Sequence, residues 1–128
     1  MIAGTGIDLV KINRIKKMIG KWGNRFLNKI FSVNEINYCQ KHKKQYSHFA
    51  ARFAAKEAVV KMLGTGMQKI RWKDIEIINN SRGKPGVNLS GKAAEIAEKN
   101  NITSIHISIT HEKEYAAVQV IGETLSQE

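Results

Sequence analysis

Arginine, glutamate and lysine stand close together in the run Arg52-Phe-Ala-Ala-Lys-Glu-Ala-Val-Val-Lys61-Met-Leu-Gly-Thr-Gly66. Glu57 and Lys61 are four residues apart, so on a helix they share a face, with Phe53 one turn earlier in line with them. An exposed pair of this kind would be worth only about 0.3–0.5 kcal/mol and would need no function. The small and apolar residues around Lys56–Glu57 argue instead for close packing about the acid, hence a partly buried polar site. A carboxylate beside a metal and a nucleophile can also act as a general base. Far upstream, Asp8 lies in a second apolar stretch, Gly6-Ile-Asp-Leu-Val10. Its commoner use would be to cap a following helix. Its other use would be as a hard oxygen ligand for Mg²⁺, which takes one or two carboxylates and completes its shell with water and substrate phosphates. The chain holds only 11 acids, and Asp8 and Glu57 are the candidates for a shared metal.

Other sites are less specific. Arg82-Gly-Lys-Pro85 is either a plain hairpin turn or a phosphate contact, in which Gly83 lets backbone N–H groups approach and Lys84 adds charge. It is no P-loop, because the Gly-x-x-x-x-Gly-Lys-Ser/Thr spacing is missing, and Gly4-Thr-Gly6 lacks the third glycine of a nucleotide fingerprint. His111 closes the run Ser108-Ile-Thr-His111, where a solvated turn histidine is the ordinary reading. His42 and His48 lack zinc-ligand spacing. Cys39, flanked by Ile36 and Tyr38, reads as a packed thiol. Arg14, Lys17, Lys21 and Arg25 form a basic stripe beside Met18 and Phe26. It is either a solvated face or a docking surface for an acidic partner, with the apolar residues as anchors.

These residues need elements to position them. Residues 2–7 are expected as a strand. Asp8 then precedes Leu9, Val10, Ile12, Ile15, Met18 and Ile19 at helical spacing, with Lys11, Arg14, Lys17 and Lys21 on the polar face. A short helix is expected at 24–30, facing Phe26, Leu27 and Ile30 inward. Ser32-Val-Asn-Glu35 has the form of a capping box and starts a helix to about Lys43. The long helix should run from about Ser47 to Leu63, ended by a left-handed Gly64 or Gly66. A strand at 74–79, a turn over Asn79–Gly86 and a returning strand at Val87–Leu89 follow. Ser90 can cap a helix to about Asn100. Ile105, Ile107 and Ile109 alternate with His106, Ser108 and Thr110, and Tyr115–Ile121 is β-rich, so the two form a hairpin with His111 at its tip. Helices and mostly antiparallel strands therefore interleave around one long helix, an α+β class.

Length and composition set the remaining bounds. The 128 residues suit one domain spanning 1–128 with a real core. No window approaches the roughly 18 apolar residues of a membrane span. The start, Met-Ile-Ala-Gly-Thr-Gly-Ile-Asp, has no charged region followed by an apolar one, so no signal peptide is expected. A lone cysteine suits a reducing cytoplasm. The net charge of +10 attracts polyanions: nucleic acid, phosphorylated small molecules or an acidic protein. A nucleic-acid-binding domain would want aromatics on an exposed sheet face, whereas Trp22, Trp72 and most phenylalanines lie on or beside helices. A non-catalytic binding module is the second rival to an enzyme.

Taken in order, these motifs resemble the holo-[acyl-carrier-protein] synthases, a family of phosphopantetheinyl transferases. Gly6-Ile-Asp-Leu-Val10 is similar to the family's first motif, and Arg25-Phe-Leu-Asn-Lys-Ile-Phe-Ser32 with Glu35 to its second. Arg52-Phe-Ala-Ala-Lys-Glu57 through Gly64-Thr-Gly66 matches its most specific segment, and Gly83-Lys-Pro85 and Ser108-Ile-Thr-His111 complete the set. The resemblance implies a phosphopantetheinyl transferase-like fold. It implies a cytoplasmic, Mg²⁺-dependent transfer of 4′-phosphopantetheine from coenzyme A to a serine of apo-acyl carrier protein in fatty acid biosynthesis, leaving adenosine 3′,5′-bisphosphate. It further implies that Asp8 and Glu57 bind Mg²⁺, that Glu57 directly or through water helps deprotonate the serine, and that Lys61 neutralises or protonates the departing phosphate. Arg52, Lys61, Gly64, Gly83, Lys84, Pro85 and His111 would line the coenzyme A site. The acidic carrier would dock on Arg14, Lys17, Met18, Lys21 and Arg25. A homotrimer with active sites between subunits is implied, and neither nucleic acid nor membrane is an expected partner.

Overall fold

The computed structural model describes residues 1–67 and 69–125. Strand β1 (Ile2–Lys11) leads into helices α1 (Ile12–Trp22), α2 (Asn24–Ile30), α3 (Val33–Gln40) and α4 (Gln45–Leu63). A short 3₁₀ turn (Trp72–Asp74), the hairpin β2 (Ile75–Asn79) and β3 (Pro85–Leu89), helix α5 (Gly91–Lys99) and the hairpin β4 (Ile102–His111) and β5 (Tyr115–Thr124) follow. The strands make two antiparallel sheets, one of three strands in the order β1-β5-β4 and one of β2 and β3 alone.

Helix α4 forms the centre. Phe49, Ala50, Ala54, Ala55, Ala58 and Val59 are all fully buried, so the helix is covered nearly all round. That is why its sequence is rich in small and apolar residues with no clean polar face. Gly64, at φ 79°, takes the left-handed conformation that ends α4, as its position after Leu63 predicts.

Strand β1 corrects the expectation for the N-terminus. It continues through Lys11, and Asp8 lies within it, paired with Val118 of β5, rather than capping α1. The cap position of α1 is Lys11, which makes no side-chain cap. Gly4, Gly6, Asp8 and Val10 alternate toward α4, while Ile7 and Leu9 point outward, 66% and 63% exposed. The inward set holds two glycines and an acid, so apolar alternation is hidden, and Leu9 and Val10 match a helical pattern by accident. The glycines are required. A Cβ at Gly6 would overlap the carbonyl oxygen of Ala58, and one at Gly4 that of Met62.

The other elements agree with expectation to within a turn. The α3 helix stops at Gln40, short of Lys43, and α4 starts two residues before Ser47. Strand β3 begins at Pro85. Ser90 occupies the α5 cap position but makes no side-chain cap; its hydroxyl leans on the Asp74 carbonyl at 3.5 Å. The capping box at α3 forms as predicted, with Glu35 N–H on Ser32 Oγ at 3.2 Å and Ser32 N–H on Glu35 Oε1 at 2.8 Å.

Glu35 then serves a purpose its capping role does not suggest. Its Oε1 pairs with Lys56 Nζ at 2.9 Å with both side chains fully buried, and its Oε2 accepts from Ile77 N–H at 2.9 Å. Lys56 also donates to the carbonyls of Trp72, at 3.1 Å, and Ile75. Burial pulls the Lys56 pKa down while the Glu35 charge opposes it. A buried ion pair is tolerable only when its remaining hydrogen-bonding capacity is filled, as here. It ties α3, α4 and the start of β2 together.

The β1–α4 contact predicts opposite outcomes for two glycine substitutions. Gly6→Ala should lose about 1–3 kcal/mol of stability in urea unfolding, because overpacking forces β1 off the helix. Gly20→Ala, in α1 with nothing within 4 Å of an added Cβ, should gain about 0.5–1 kcal/mol through helix propensity.

Candidate active site

The register of β1 and the close approach of α4 bring Asp8 beside the last turns of α4. Lys61 does not pair with Glu57, as its spacing suggests. It crosses to β1, where Nζ donates to the Ile7 carbonyl at 2.9 Å and contacts Asp8 Oδ1 at 3.1 Å. Asp8 is 11% exposed at its side chain, and its Oδ2 is buried with no hydrogen-bond partner. Glu57 is half-buried and makes no hydrogen bond or ion pair among the described residues. Burial, then the negative charge of Asp8, pushes the Glu57 carboxyl above its ordinary value, while Arg14 and Lys61 pull it back. The two acids thus feel each other. An orphaned buried carboxylate oxygen close to a second, uncommitted carboxylate fits a hard divalent cation that draws its remaining ligands from water and phosphate. Among the described residues no group of three or more His, Cys, Asp or Glu side chains could hold a metal.

A second cluster lies on another side of α4. Arg52 and Glu57 are five residues apart, roughly 140° around a helix. Arg52 lines a cleft of about 460 Å³ with Tyr38, His48, Asn79, Gly83, Pro85 and His111. None of Asp8, Glu57, Lys61 and Gly64 lines it. Arg52 is 3% exposed and meets no carboxylate among the described residues. Its guanidinium sits 4.0 Å above the Tyr38 ring, Nη2 reaches Asn79 Oδ1 at 3.4 Å, and Nε is buried without a partner. The Tyr38 hydroxyl accepts from Asn79 Nδ2 at 2.9 Å. A buried cation without a counter-charge is costly, and this one opens onto a cavity that no acid lines.

The hairpin turn differs in detail from its sequence reading. Asn80 Oδ1 accepts from the N–H groups of Arg82 and Lys84, at 2.8 and 3.0 Å, and the Asn80 carbonyl accepts from Gly83 N–H at 2.9 Å. These amides are therefore engaged by the turn rather than presented to a ligand. Gly83 has φ 81°, a conformation glycine adopts freely. Lys84 is exposed and does not line the cleft. His111, also exposed, ends β4 opposite Ala116. The carboxylate of the next residue, Glu112, is taken up by the N–H groups of Glu114 and Tyr115 at 2.7 and 2.8 Å. Cys39 is buried, and burial lifts its thiol to about 12, which makes it unreactive.

The basic stripe is exposed at Arg14, Lys17, Lys21 and Arg25, with Met18 half-buried. Lys21 and Arg25 flank the ring of Trp22 at 5.1 and 5.8 Å. Met18, Trp22, Arg25, Phe26 and Lys29 line a shallow depression of about 240 Å³. Sequence reasoning left out Trp22 and Lys29, although Trp22 adjoins Lys21 on the stripe. It also left out Tyr38, His48 and Asn79. The one local signal for these was His48 four residues before Arg52, on the same helical face.

Residues 4–120 match the 4′-phosphopantetheinyl transferase superfamily. A holo-[acyl-carrier-protein] synthase of Halothermothrix orenii is 49% identical over 96% of this chain and 98% of its own. The chain belongs to the holo-[acyl-carrier-protein] synthases of that superfamily. Its enzyme class is thus phosphopantetheinyl transferase, and its α+β fold is the family's. The crystal structure of a holo-[acyl-carrier-protein] synthase from Neisseria meningitidis superposes with a TM-score of 0.87 at 31% identity, covering 97% of this chain and all of that one. The Bacillus anthracis synthase, solved in complex with CoA (3′,5′-ADP), superposes with a TM-score of 0.80 at 38% identity, over 98% and 99% of the two chains.

If the transferase cleft awaits an anion at Arg52, ligand and residue should be linked in stability. Added pyrophosphate should raise the unfolding midpoint of the native protein in urea, by mass action on the folded state. Arg52→Met should fold at least as stably without pyrophosphate and gain little from it. Equal gains in both proteins would place the anion elsewhere.

Proposed function

We propose that this phosphopantetheinyl transferase uses Mg²⁺ to move 4′-phosphopantetheine from coenzyme A to a serine of apo-acyl carrier protein, a step of fatty acid biosynthesis in the cytoplasm. The observation that carries the reading is the unpartnered Asp8 Oδ2 beside Glu57 and Lys61. Asp8 and Glu57 would hold the metal, which when bound stabilises charge on the diphosphate oxygens. The serine oxygen forms a bond to the pantetheine-side phosphorus, and the bond from that phosphorus to the bridging oxygen breaks. Adenosine 3′,5′-bisphosphate leaves with the bridging oxygen. Glu57, directly or through one water, takes the serine proton. Lys61, already anchored on Asp8 and the Ile7 carbonyl, neutralises or protonates the departing phosphate. Charge that develops on these oxygens is best met by groups fixed in advance.

Arg52, Gly83, Lys84, Pro85 and His111 would bind the nucleotide end of coenzyme A, with Lys61 and Gly64 nearer the diphosphate. The Bacillus anthracis synthase, solved with CoA (3′,5′-ADP), supports such a ligand. The two clusters line different sides of α4 within one chain, which favours an assembly that reunites them between copies. The outward Ile7 and Leu9 of β1, 66% and 63% exposed, offer an apolar sheet face for that contact. A homotrimer of a single transferase domain over 1–128 is the assembly we favour. The carrier, an acidic protein, would dock on Arg14, Lys17, Met18, Lys21 and Arg25, where opposite charge steers encounter.

The test is mass spectrometry of apo-acyl carrier protein incubated with this protein, coenzyme A and Mg²⁺. The carrier should gain one phosphopantetheine, and EDTA should abolish the gain. No gain, or a gain indifferent to EDTA, would contradict the proposal.

A further inference from the structure

Three histidines gather at the mouth of the Arg52 cleft, and the chemistry proposed above uses only one of them. The His42 ring stacks on that of His48 with centroids 4.0 Å apart and planes 35° apart. His111, from β4, meets His48 edge-on at 5.6 Å and 68°. Tyr38, from α3, does the same at 5.7 Å and 83°. The Nδ1–H of His42 donates to the Tyr38 carbonyl at 2.7 Å, since a carbonyl can only accept. Of the three, His48 and His111 line the cleft, and Arg52 follows His48 by one turn of α4.

The groups facing His48 are Arg52 on its own helix, Tyr38 and His42 from α3 and the turn after it, and His111 from β4. None is a carboxylate. The cleft itself is lined by no carboxylate. Burial first, then His42, His111 and Arg52, hold the His48 imidazole down at about 4, so near neutral pH it carries no charge in this setting. One event reverses that field: the arrival of negative charge at the unpaired Arg52.

We propose that His48 is a ligand-binding residue of this cleft and takes up a proton from solvent as a phosphorylated ligand enters. The inference rests on the coenzyme A reading of the cleft. An opposite charge within about 4–6 Å moves a pKa by about 1–3, enough to bring His48 from about 4 toward the weakly acidic range. The sign follows from linkage. The ligand raises the His48 pKa, so protonation strengthens binding, and affinity rises as pH falls through the raised value. Above that value His48 stays neutral and contributes no such dependence.

The probe is adenosine 3′,5′-bisphosphate, titrated calorimetrically into the whole protein near pH 6 in two buffers of different ionisation enthalpy. The ligand's own phosphates titrate in this range, so the readout is the difference between the native protein and His48→Gln. The native protein should take up about half a proton more than the variant and bind about twofold more tightly near pH 6, with the gap closing near pH 8. Equal proton counts and parallel pH profiles would overturn the inference and leave the coenzyme A reading standing. No binding by the native protein would overturn both. Should the variant fail to fold, the His48 Cε1 proton can be titrated by NMR in the native protein. A midpoint that rises when the bisphosphate is added supports the proposal, and an unmoved midpoint refutes it.

Discussion

Strand β1 can lie against α4 only because Gly4 and Gly6 present no side chain to the carbonyls of Met62 and Ala58. The candidate active site depends on that approach. Once β1 is seated and paired with β5 from Lys11 to Ile2, Asp8 comes to the C-terminal half of α4. There Lys61 reaches across to it and to the Ile7 carbonyl, and its charge bears on Glu57. Dense packing leaves little freedom to adjust such a contact. The acid is therefore held by the strand's backbone register, not by a mobile loop, as a preorganised site requires.

Lys56 and Glu57 are neighbours in sequence and do different work. Lys56 turns inward, fully buried, onto Glu35 and two carbonyls, while Glu57 turns toward β1 and the other acid. The Glu35–Lys56 pair fixes α3 and β2 on α4. Those elements in turn carry Tyr38 and Asn79, which hold Arg52 in its cleft. One ion pair thus sets one binding region, and a pair of glycines sets the other. Both regions meet on a single helix whose own core positions are nearly all alanine, valine and phenylalanine.

Much of this was legible from local pattern. The capping box at Ser32–Glu35, the glycine after Leu63 and the alternation of Ile105, Ile107 and Ile109 each act over a few residues, and each element formed where they indicate. The N-terminal strand was not legible in full. Its inward face is glycine, glycine and aspartate, and its outward face is isoleucine and leucine, so hydrophobicity points the wrong way. Asp8 and Glu57 were found by residue type and by family resemblance, whereas the Lys61–Asp8 contact came from tertiary structure. The Arg52–Tyr38–Asn79 arrangement and the Glu35–Lys56 pair join residues far apart in the chain, and no spacing rule reaches them.

The central claim is that Asp8 and Glu57 act as one metal-binding unit because β1 packs tightly on α4. A double-mutant cycle on the Mg²⁺ concentration for half-maximal transfer tests it most directly, with native protein, Asp8→Asn, Glu57→Gln and the double variant. Each single substitution should raise that concentration at least about tenfold, and the double variant should fall short of the product of the two by about tenfold or more, as coupled neighbours do. Effects that simply multiply would mean that the two carboxylates act independently, and the account would be wrong.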